Sequence, residues 1–322
     1  METNPLVLVI SNSADPDHDP QFKMLDAVPH VHVNSSSALA ATPKNPDVIL
    51  HWAGSRDLLR AAFLASPEVR WVHSRAAGLD NMLFTELVES PVVLTNGRGV
   101  FSQSLGEFAL AAILYFAKDF RRMLRNQMAG RWEPFDVEEI AGQTVGIVAY
   151  GDIGRAVAVR VHAMGMRVLA LKRHAPTSAD PLIERFYEPG ELFGMLARCD
   201  YVVASAPLTP ETHHMIGAAA LAAMKPSAVI INIGRGPVID QAALVRALES
   251  CQIRGAGLDV FEKEPIPPGH PLYKLENVLL SPHCADHTKD WLDQAMIFFL
   301  EQYGRFSNGQ PLENIVEKRL GY

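Results

Sequence analysis

The sequence is poor in cysteine, in long apolar runs and in basic charge. Three cysteines occur in 322 residues, and no two of them form a Cys-x-x-Cys pair. Disulfide frameworks depend on paired cysteines, so we expect reduced thiols and a cytoplasmic protein. The longest strictly apolar run is residues 108–117. A membrane span needs about 20 such residues, so this run predicts a buried helix, and we expect no membrane partner.

Acidic residues outnumber basic residues by 36 to 29, which gives a formal net charge of −7. A surface that binds nucleic acid or anionic lipid normally carries an excess of Lys and Arg. No basic block is present, and we therefore expect no nucleic-acid partner. The N-terminal segment has neither the basic part nor the long apolar part of a secretion signal. No group of His, Cys, Asp and Glu has metal-ligand spacing, so no metal site is predicted.

The rhythm of apolar segments predicts an α/β protein. Domains usually contain about 100–150 residues, so two domains are expected. Short apolar runs predict strands at 6–10, 48–51, 69–73 and 92–95, and then at 144–149, 168–171, 200–206, 228–233, 255–260 and 277–281. Helices are predicted at 153–164, 190–197, 218–224, 241–250 and 290–303. This alternation favours parallel sheets covered on both faces. The predicted fold is a Rossmann-type doubly wound parallel sheet plus a smaller flavodoxin-like α/β domain.

One long helix is predicted over residues 101–130. Ser104 and Glu107 have the Ser-x-x-Glu spacing of a capping box. Apolar residues then recur at intervals of three and four, which is typical of one helix face. Gly130 is the predicted end of this helix.

A glycine-containing turn follows the strand predicted at 144–149. It matches the dinucleotide fingerprint Gly-x-Gly-x-x-Gly at its second and third glycines. Ala149 stands at the first position, where it fits if φ is negative and costs about 1 kcal/mol if φ is positive. The turn predicts dinucleotide binding, and a simple packing turn is the alternative. The predicted contacts are Gly151, Asp152, Ile153 and Gly154.

Two cations follow the next predicted strand. A carboxylate about 20 residues after the glycines normally binds the ribose 2′-hydroxyl of a dinucleotide. Lys172 and Arg173 stand at this distance instead. Because a cationic pair favours a 2′-phosphate, we expect NADP(H) to be preferred and NAD(H) to be possible. The alternative interpretation is a solvated basic turn.

Four chemically active residues follow three successive predicted strands. The carboxyl ends of parallel strands meet at one edge of a sheet, so these side chains are expected to converge. Each alone has a simpler interpretation, such as a surface ion pair for the arginine or a structural role for the histidine. Neighbouring Glu262 and Lys263 are expected to be solvated loop charges. The four residues are Arg235, Asp259, Glu264 and His283.

The segments that carry these residues resemble a known family. Asn-x-x-Arg-Gly at 232–236, Asp-Val-x-x-x-Glu-Pro at 259–265 and Pro-His at 282–283 resemble the D-isomer-specific 2-hydroxyacid dehydrogenases. The resemblance is strongest to the glyoxylate/hydroxypyruvate reductase and phosphoglycerate dehydrogenase branches. It covers essentially the whole chain and includes the segments 77–80 and 207–212. It implies a nicotinamide-dependent oxidoreductase that interconverts a small 2-keto acid and its D-2-hydroxy acid.

The resemblance also implies a role for each residue. Arg235 would bind the substrate carboxylate, His283 would protonate the carbonyl oxygen, and Glu264 would orient the imidazole and stabilise its protonated form. Acid catalysis of this kind contributes about 10²–10⁴-fold. The implied substrate contacts are Ala77, Gly78, Arg235 and His283. The implied cofactor contacts beyond the glycine turn are Lys172, Arg173, Pro207, Thr212, Ile233, Gly234, Arg235, Asp259 (on the nicotinamide amide) and His283.

Domain roles and partners follow from the same resemblance. Residues 1–98 and 289–322 are predicted to form the substrate-binding (catalytic) domain, and residues 99–288 the dinucleotide-binding domain. A homodimer built around 101–130 is implied. Two other functions remain open. One is oxidation of a phosphoglycerate-type substrate, whose phosphate would need cations such as Arg56, Arg75 and Arg98. The other is a dinucleotide-sensing binding protein similar to the family's corepressors.

Overall fold

The computed structural model describes residues 4–13, 19–42, 45–80, 82–174 and 178–321. The chain folds into two compact units. Unit 1 contains Met1–Phe101 and Thr288–Tyr322, and unit 2 contains Ser102–His287. The chain therefore leaves unit 1 once and returns to it at its C-terminal end. The assignment of the units to substrate and dinucleotide binding stays a prediction.

Unit 1 is built on a five-stranded parallel sheet. The strands are β1 (Val7–Ile10), β2 (His30–Val33), β3 (Val48–His51), β4 (Trp71–Ser74) and β5 (Val93–Asn96). They pair in the order β2-β1-β3-β4-β5, which is the flavodoxin-like order. The α-helices of this unit are α1 (Ser36–Ala41), α2 (Arg56–Leu64), α3 (Thr85–Glu89) and, after unit 2, α10 (Trp291–Ser307). Strand β2 was not predicted, because its His-Val-His-Val sequence is short and only Val33 is fully buried.

A buried histidine lies in β4, next to the last strand in the sheet order. His73 in β4 is 1% exposed, and its Nδ1 is 2.8 Å from the Thr95 hydroxyl. The same hydroxyl accepts a hydrogen bond of 2.7 Å from Trp71 Nε1. Burial lowers the pKa of His73 to about 3, because a charged imidazole loses its hydration in the core. The ring is therefore neutral at physiological pH.

This burial makes unit 1 acid-sensitive. The unfolded chain binds a proton at His73 below about pH 6.5, whereas the folded chain binds it only near pH 3, so stability falls as the pH falls through this window. Between pH 7 and pH 5 the loss is expected to be about 2 kcal/mol. Urea unfolding of wild type and His73→Gln at both pH values measures it, because glutamine keeps a polar group without titrating. Exposed His174→Gln is the control and should behave as wild type. Equal acid losses in wild type and His73→Gln would contradict this assignment.

Unit 2 begins with two helices and continues as a seven-stranded parallel sheet. Its strands are β6 (Thr144–Val148), β7 (Arg167–Leu171), β8 (Arg185–Tyr187), β9 (Tyr201–Ala204), β10 (Val229–Asn232), β11 (Gly255–Leu258) and β12 (Val278–Leu280). Its helices are α4 (Ser102–Ala117), α5 (Phe120–Met128), α6 (Asp152–Ala163), α7 (Leu192–Leu196), α8 (Ala218–Ala223) and α9 (Gln241–Glu249).

The strand order of unit 2 is β12-β11-β10-β9-β6-β7-β8. With β6 counted as strand 1, this order reads 7-6-5-4-1-2-3. Read in reverse, it is the doubly wound Rossmann order 3-2-1-4-5-6 followed by one further strand. The predicted fold class is therefore confirmed. Strand β8 was missed because it has three residues and lies at the sheet edge. Within the described residues, no helix combines the length and apolar content needed to cross a bilayer.

The single helix predicted over 101–130 is wrong in detail. Helix α4 ends at Ala117, and Asp119 adopts a left-handed φ of 50° and accepts a hydrogen bond from Arg122 N, which starts α5. Ser104 lies inside α4 and donates its hydroxyl to Ala285 O instead of capping the helix. The Ser-x-x-Glu spacing is therefore not a capping box here. After α5, Gly130 has φ of 63°, as expected of a residue that follows a helix.

Candidate active site

The predicted dinucleotide turn lies between β6 and the first residue of α6. Ala149 has φ of 71°, so the alanine costs about 1 kcal/mol relative to the usual glycine. A Cβ on Gly154 would lie 3.0 Å from both Ala149 O and Ile147 Cγ2, whereas a Cβ on Gly151 would meet nothing within 4 Å. Gly154 is thus needed for close helix–strand packing, and Gly151 leaves open space above the turn.

The start of α6 suits a phosphate group. Gly151 is its N-cap and supplies no side-chain hydrogen bond, so the amides of the first turn can bind an anion. Asp152 adds a carboxylate beside this position, and that carboxylate accepts a hydrogen bond from the Ser102 hydroxyl. Backbone amides and open space therefore fit a pyrophosphate, while Asp152 opposes its charge.

A carboxylate that the sequence did not indicate lies near Lys172, the first of the two predicted cations. Asp180 accepts a hydrogen bond of 2.7 Å from Tyr150 OH and lies 3.7 Å from Arg155 Nε. The Tyr150 hydrogen bond lowers the pKa of Asp180, and the charges of Arg155 and Lys172 lower it further. Asp180 is therefore ionised close to Lys172. It comes eight residues later in the chain, in the connection to β8, so no spacing rule could have found it.

The second predicted cation lies near another acidic residue. Arg173 Nη2 is 3.7 Å from Glu211 Oε2, with both side chains exposed. Glu211 lies in the segment that contains Pro207 and Thr212. The Thr212 hydroxyl donates to Pro207 O over 2.6 Å and accepts from Thr209 N over 2.8 Å, so it stabilises the turn that carries both predicted cofactor contacts.

Arg235 is held in a rigid turn after β10. Asn232, which is 1% exposed, donates from Nδ2 to Arg235 O over 3.0 Å and accepts from Gly234 N over 3.1 Å. A Cβ on Gly236 would lie 1.9 Å from Phe261 C, so only glycine allows this close approach. The Arg235 turn is thereby packed against the segment that leads to Glu264. The sequence motif includes Asn232 but did not predict this role. The hydrogen bond from Gly234 N to the Asn232 side chain is that of an Asx turn, for which Asn is a typical residue.

Glu264 and His283 are in direct contact. His283 Nδ1 lies 2.6 Å from Glu264 Oε2, and the other oxygen of Glu264 accepts a hydrogen bond of 2.8 Å from Phe261 N. Both side chains are partly exposed. The carboxylate is therefore held by its own turn and directed at one ring nitrogen, which leaves Nε2 to face another group.

Asp259 stabilises the turn that carries His283. His283 has a left-handed φ of 52°, and its N–H donates to Asp259 O over 2.9 Å. Asp259 Oδ1 accepts from Cys284 N at 3.0 Å and Ala285 N at 3.1 Å. Asp259 is 1% exposed. The residue predicted to hold a nicotinamide amide thus also fixes the backbone of the predicted acid.

Glu262 is exposed, as expected of a loop charge, but it also makes hydrogen bonds that the sequence did not indicate. Its Oε1 accepts hydrogen bonds from Gln241 N at 3.0 Å and His214 Nε2 at 2.8 Å, and its own N–H donates to Gln241 Oε1 at 3.2 Å. His214 N in turn donates to Pro237 O over 2.8 Å. Glu262 therefore links three segments of unit 2. One follows Thr212, one follows Arg235, and one leads to Glu264.

Ile233, which follows β10 in unit 2, is buried, and its N–H donates to Ala204 O over 3.0 Å. The predicted substrate contacts Ala77 and Gly78 lie in unit 1. Ala77 and Gly78 follow β4, and Asn96 Nδ2 donates to Ala77 O over 2.7 Å. Gly97 N donates to Ala76 O over 3.2 Å. Two hydrogen bonds, donated by Asn96 and Gly97 at the end of β5, thus hold the backbone of this loop.

The sheet order of unit 2 and the glycine turn at the start of α6 define a dinucleotide-binding α/β protein. A model of the "D-isomer specific 2-hydroxyacid dehydrogenase, NAD binding domain" matches residues 110–285. The chain belongs to the D-isomer specific 2-hydroxyacid dehydrogenase family. It is therefore an oxidoreductase that acts on 2-hydroxy acids and binds a nicotinamide dinucleotide, and the predicted family resemblance is confirmed.

Individual relatives carry more specific names. A glyoxylate reductase of Korarchaeum cryptofilum is 37% identical over 264 residues, which cover 80% of this chain and 79% of that protein. A 2-hydroxyacid dehydrogenase of Xanthobacter autotrophicus, solved with NADPH and MES, has a TM-score of 0.84 and 30% identity over 99% of this chain and 100% of its own. An NADPH-dependent glyoxylate/hydroxypyruvate reductase of Sinorhizobium meliloti, solved with NADP and sulfate, has a TM-score of 0.85 and 25% identity, again over 99% and 100%.

Proposed function

We propose that this protein reduces glyoxylate, hydroxypyruvate or a closely similar 2-keto acid, with NADPH as the preferred cofactor. The observation that carries the proposal is the 2.6 Å contact between His283 Nδ1 and Glu264 Oε2, next to the turn that holds Arg235. The names of the relatives support the substrate class. The Lys172–Arg173 pair and the two related structures with NADP or NADPH support the cofactor.

Arg235 acts through its positive charge, and His283 acts by donating a proton. Reduction of a ketone places negative charge on its oxygen, so a nearby cation and a proton donor lower the barrier. Arg235 binds the carboxylate and polarises the carbonyl. His283 donates a proton from Nε2, because Nδ1 donates its own N–H to Glu264. The Glu264 carboxylate stabilises the imidazolium that precedes this transfer.

The cofactor supplies the hydride when it is bound. The Gly151–Asp152–Ile153–Gly154 turn would hold its pyrophosphate, and Lys172 with Arg173 its 2′-phosphate. Pro207, Thr212, Ile233 and Gly234 would line the same edge of the sheet, and Asp259 would reach the nicotinamide amide. Ala77 and Gly78 would bind the substrate carboxylate through backbone amides.

Initial rates of the purified protein with a panel of 2-keto acids and both cofactors test this function. We expect turnover of glyoxylate and hydroxypyruvate, higher kcat/KM with NADPH than with NADH, and D-glycerate as the product of hydroxypyruvate. Nucleotide-dependent binding of a protein partner without any keto-acid turnover would contradict the proposal and favour the corepressor-like alternative.

The cofactor preference depends on two side chains. Lys172→Asp combined with Arg173→Ala is expected to lower kcat/KM for NADPH at least tenfold relative to NADH, because two charge-assisted hydrogen bonds to the phosphate are lost. Arg185→Ala, an exposed arginine on the neighbouring β8, is the control and should retain the wild-type ratio. A double variant that still prefers NADPH would show that the 2′-phosphate is bound elsewhere.

We also propose a homodimer that forms through α5 and the segment after it. Exposed apolar side chains are concentrated there, and Met128 is 91% and Trp132 97% exposed. Large aromatic side chains at such positions are typical of interfaces. The others in this surface are Phe120, Met123, Leu124 and Val137.

Sedimentation velocity measures the assembly. Wild type is expected at twice the chain mass of 35.3 kDa, and Met128→Glu combined with Trp132→Glu is expected at the monomer mass, because two carboxylates would be buried without partners. Phe193→Glu replaces an equally apolar, half-exposed side chain on α7 and should leave the dimer intact. A monomeric wild type at micromolar concentration would refute this assembly.

A further inference from the structure

One arginine of unit 1 contacts two indole rings. Arg75 follows β4, and its guanidinium carbon lies over the ring of Trp52, 5.1 Å from the centroid, and over that of Trp291, 5.0 Å from the centroid. Trp52 follows β3, and Trp291 is the first residue of α10. Cation–π contact with two rings limits the rotamers of this side chain. A guanidinium has five N–H donors in a fixed geometry that matches a carboxylate or a phosphate.

The backbone beside Arg75 is equally constrained. Gly97 packs so closely on it that an added Cβ would lie 2.2 Å from Arg75 O. Gly97 N also donates to Ala76 O, and Asn96 Nδ2 donates to Ala77 O. The guanidinium and the adjacent Ala77–Gly78 loop therefore form one preorganised element. The Cα atoms of Arg75 and Ala77 can be at most about 7.6 Å apart, because successive Cα atoms are 3.8 Å apart.

Polar atoms at the same edge of the sheet have no partner among the described residues. These are Ser74 Oγ, in a residue that is 1% exposed, and His51 Nε2. His51 and Ser74 are register partners at the ends of β3 and β4. Arg75 N donates a hydrogen bond of 3.1 Å to His51 O, so Arg75 directly adjoins this pair. Burial lowers the pKa of His51. Buried polar atoms without protein partners are typical of positions that contact water or a ligand.

The structure distinguishes the three arginines considered for a substrate phosphate. Arg98 donates to Asn314 Oδ1 from Nε at 3.3 Å and from Nη2 at 3.1 Å, which ties it to the C-terminal segment. Arg56 is exposed in the first turn of α2. Arg75 lies over two indole rings and directly precedes the segment that leads into the loop proposed to bind the substrate carboxylate.

We infer that Arg75 is a specificity-determining residue that binds a second anionic group, a carboxylate or a phosphate, at the far end of the 2-keto acid. This inference rests on the proposed function of the Ala77–Gly78 loop. A substrate whose first carboxylate contacts that loop would place a second anion a few ångströms away, within reach of the Arg75 guanidinium. Glyoxylate has no such group and hydroxypyruvate has only a hydroxyl, so Arg75 would favour larger, doubly anionic substrates of the same class.

Steady-state kinetics with NADPH test the inference. The substrates are glyoxylate, hydroxypyruvate, oxaloacetate for a distal carboxylate and 3-phosphohydroxypyruvate for a distal phosphate. Arg75→Gln is expected to lower kcat/KM for one doubly anionic substrate by about 10–100-fold, since a charged hydrogen-bond pair is lost. Its kcat/KM for glyoxylate should change less than about threefold. The substrate that loses most identifies the anion as carboxylate or phosphate.

Arg70→Gln is the matched control. Arg70 also lies over an aromatic ring, with its guanidinium carbon 4.8 Å from the Phe306 centroid, but it precedes β4 at the opposite end of the strand. It should leave all four kcat/KM values unchanged. Arg75→Lys keeps the charge but lacks the planar guanidinium, so it should retain part of the selectivity. It replaces Arg75→Gln in this experiment if that variant does not fold.

Two results overturn the inference. Equal losses for glyoxylate and the doubly anionic substrates would place Arg75 on the first carboxylate, and no loss for any substrate would remove it from the site. In both cases turnover of glyoxylate by wild type leaves the proposed function standing. No turnover of any 2-keto acid by wild type would instead refute the proposed function and this inference with it.

Discussion

Replacement of His283 by alanine is expected to lower kcat by about 10²–10⁴-fold, the usual contribution of a general acid. The developing alkoxide would then have to take its proton from water. Glu264 neither positions that water nor stabilises a positive charge on it. Cofactor affinity should change less than about twofold, because the ring is proposed to act on the substrate oxygen. Stopped-flow hydride transfer and fluorescence titration with NADPH measure the two quantities separately.

The control for this variant is His162→Ala. His162 is an exposed histidine in the last turn of α6, so its loss removes an imidazole without affecting the Glu264 contact. It should retain wild-type kcat. Near-normal turnover of His283→Ala would remove His283 from the acid role, and a parallel loss of NADPH binding would assign the ring to the cofactor instead.

Replacement of Arg235 by alanine is expected to raise KM for the keto acid and to lower kcat, with a combined loss in kcat/KM of about 10²–10³-fold or more. The guanidinium is proposed to bind the carboxylate in the ground state and the carbonyl oxygen as charge develops there, so both constants should change. Because a bidentate arginine cannot be replaced by a point charge, Arg235→Lys should recover only part of the loss.

Arg246→Ala provides the comparison for Arg235. Arg246 is an exposed arginine in the last turn of α9, and its removal changes the net charge of unit 2 equally. It should leave KM and kcat unchanged, which separates a local contact from a general electrostatic effect. An unchanged KM in Arg235→Ala would argue against contact with the substrate carboxylate.

Local sequence patterns correctly predicted those parts of the protein whose geometry depends on residues that are close together in the chain. The glycine turn was predictable because strand, turn and helix are contiguous, and Gly154 is needed for packing within that short segment. The contact between Glu264 and His283 followed from a general rule about the ends of parallel strands. Strands β2 and β8 were missed because they are short and weakly apolar, so their pairing depends on the neighbouring strand.

Predictions failed where a side chain bonds to a distant segment. Ser104 has the spacing of a cap, but its hydroxyl donates to Ala285 O. Glu262 is exposed as its sequence context predicts, but it also accepts hydrogen bonds from Gln241 N and His214 Nε2, which the sequence did not indicate. Asp180 is ionised near Lys172 because the chain returns towards β8. The partners of Ser104 and Glu262 are far away along the chain, and Asp180 accepts its hydrogen bond from Tyr150, 30 residues earlier, so these bonds exist only after folding.

The family, the α/β class and the identity of the candidate catalytic residues follow from the sequence alone, because they depend on residue types, order and spacing. The tertiary structure decided which of these residues touch, how the turns around Arg235 and His283 are held, and that Arg75 lies over the rings of Trp52 and Trp291. The reason is physical: periodicity and motifs are properties of short segments, whereas hydrogen bonds and ring stacking between distant segments depend on how the sheets bring strand ends together.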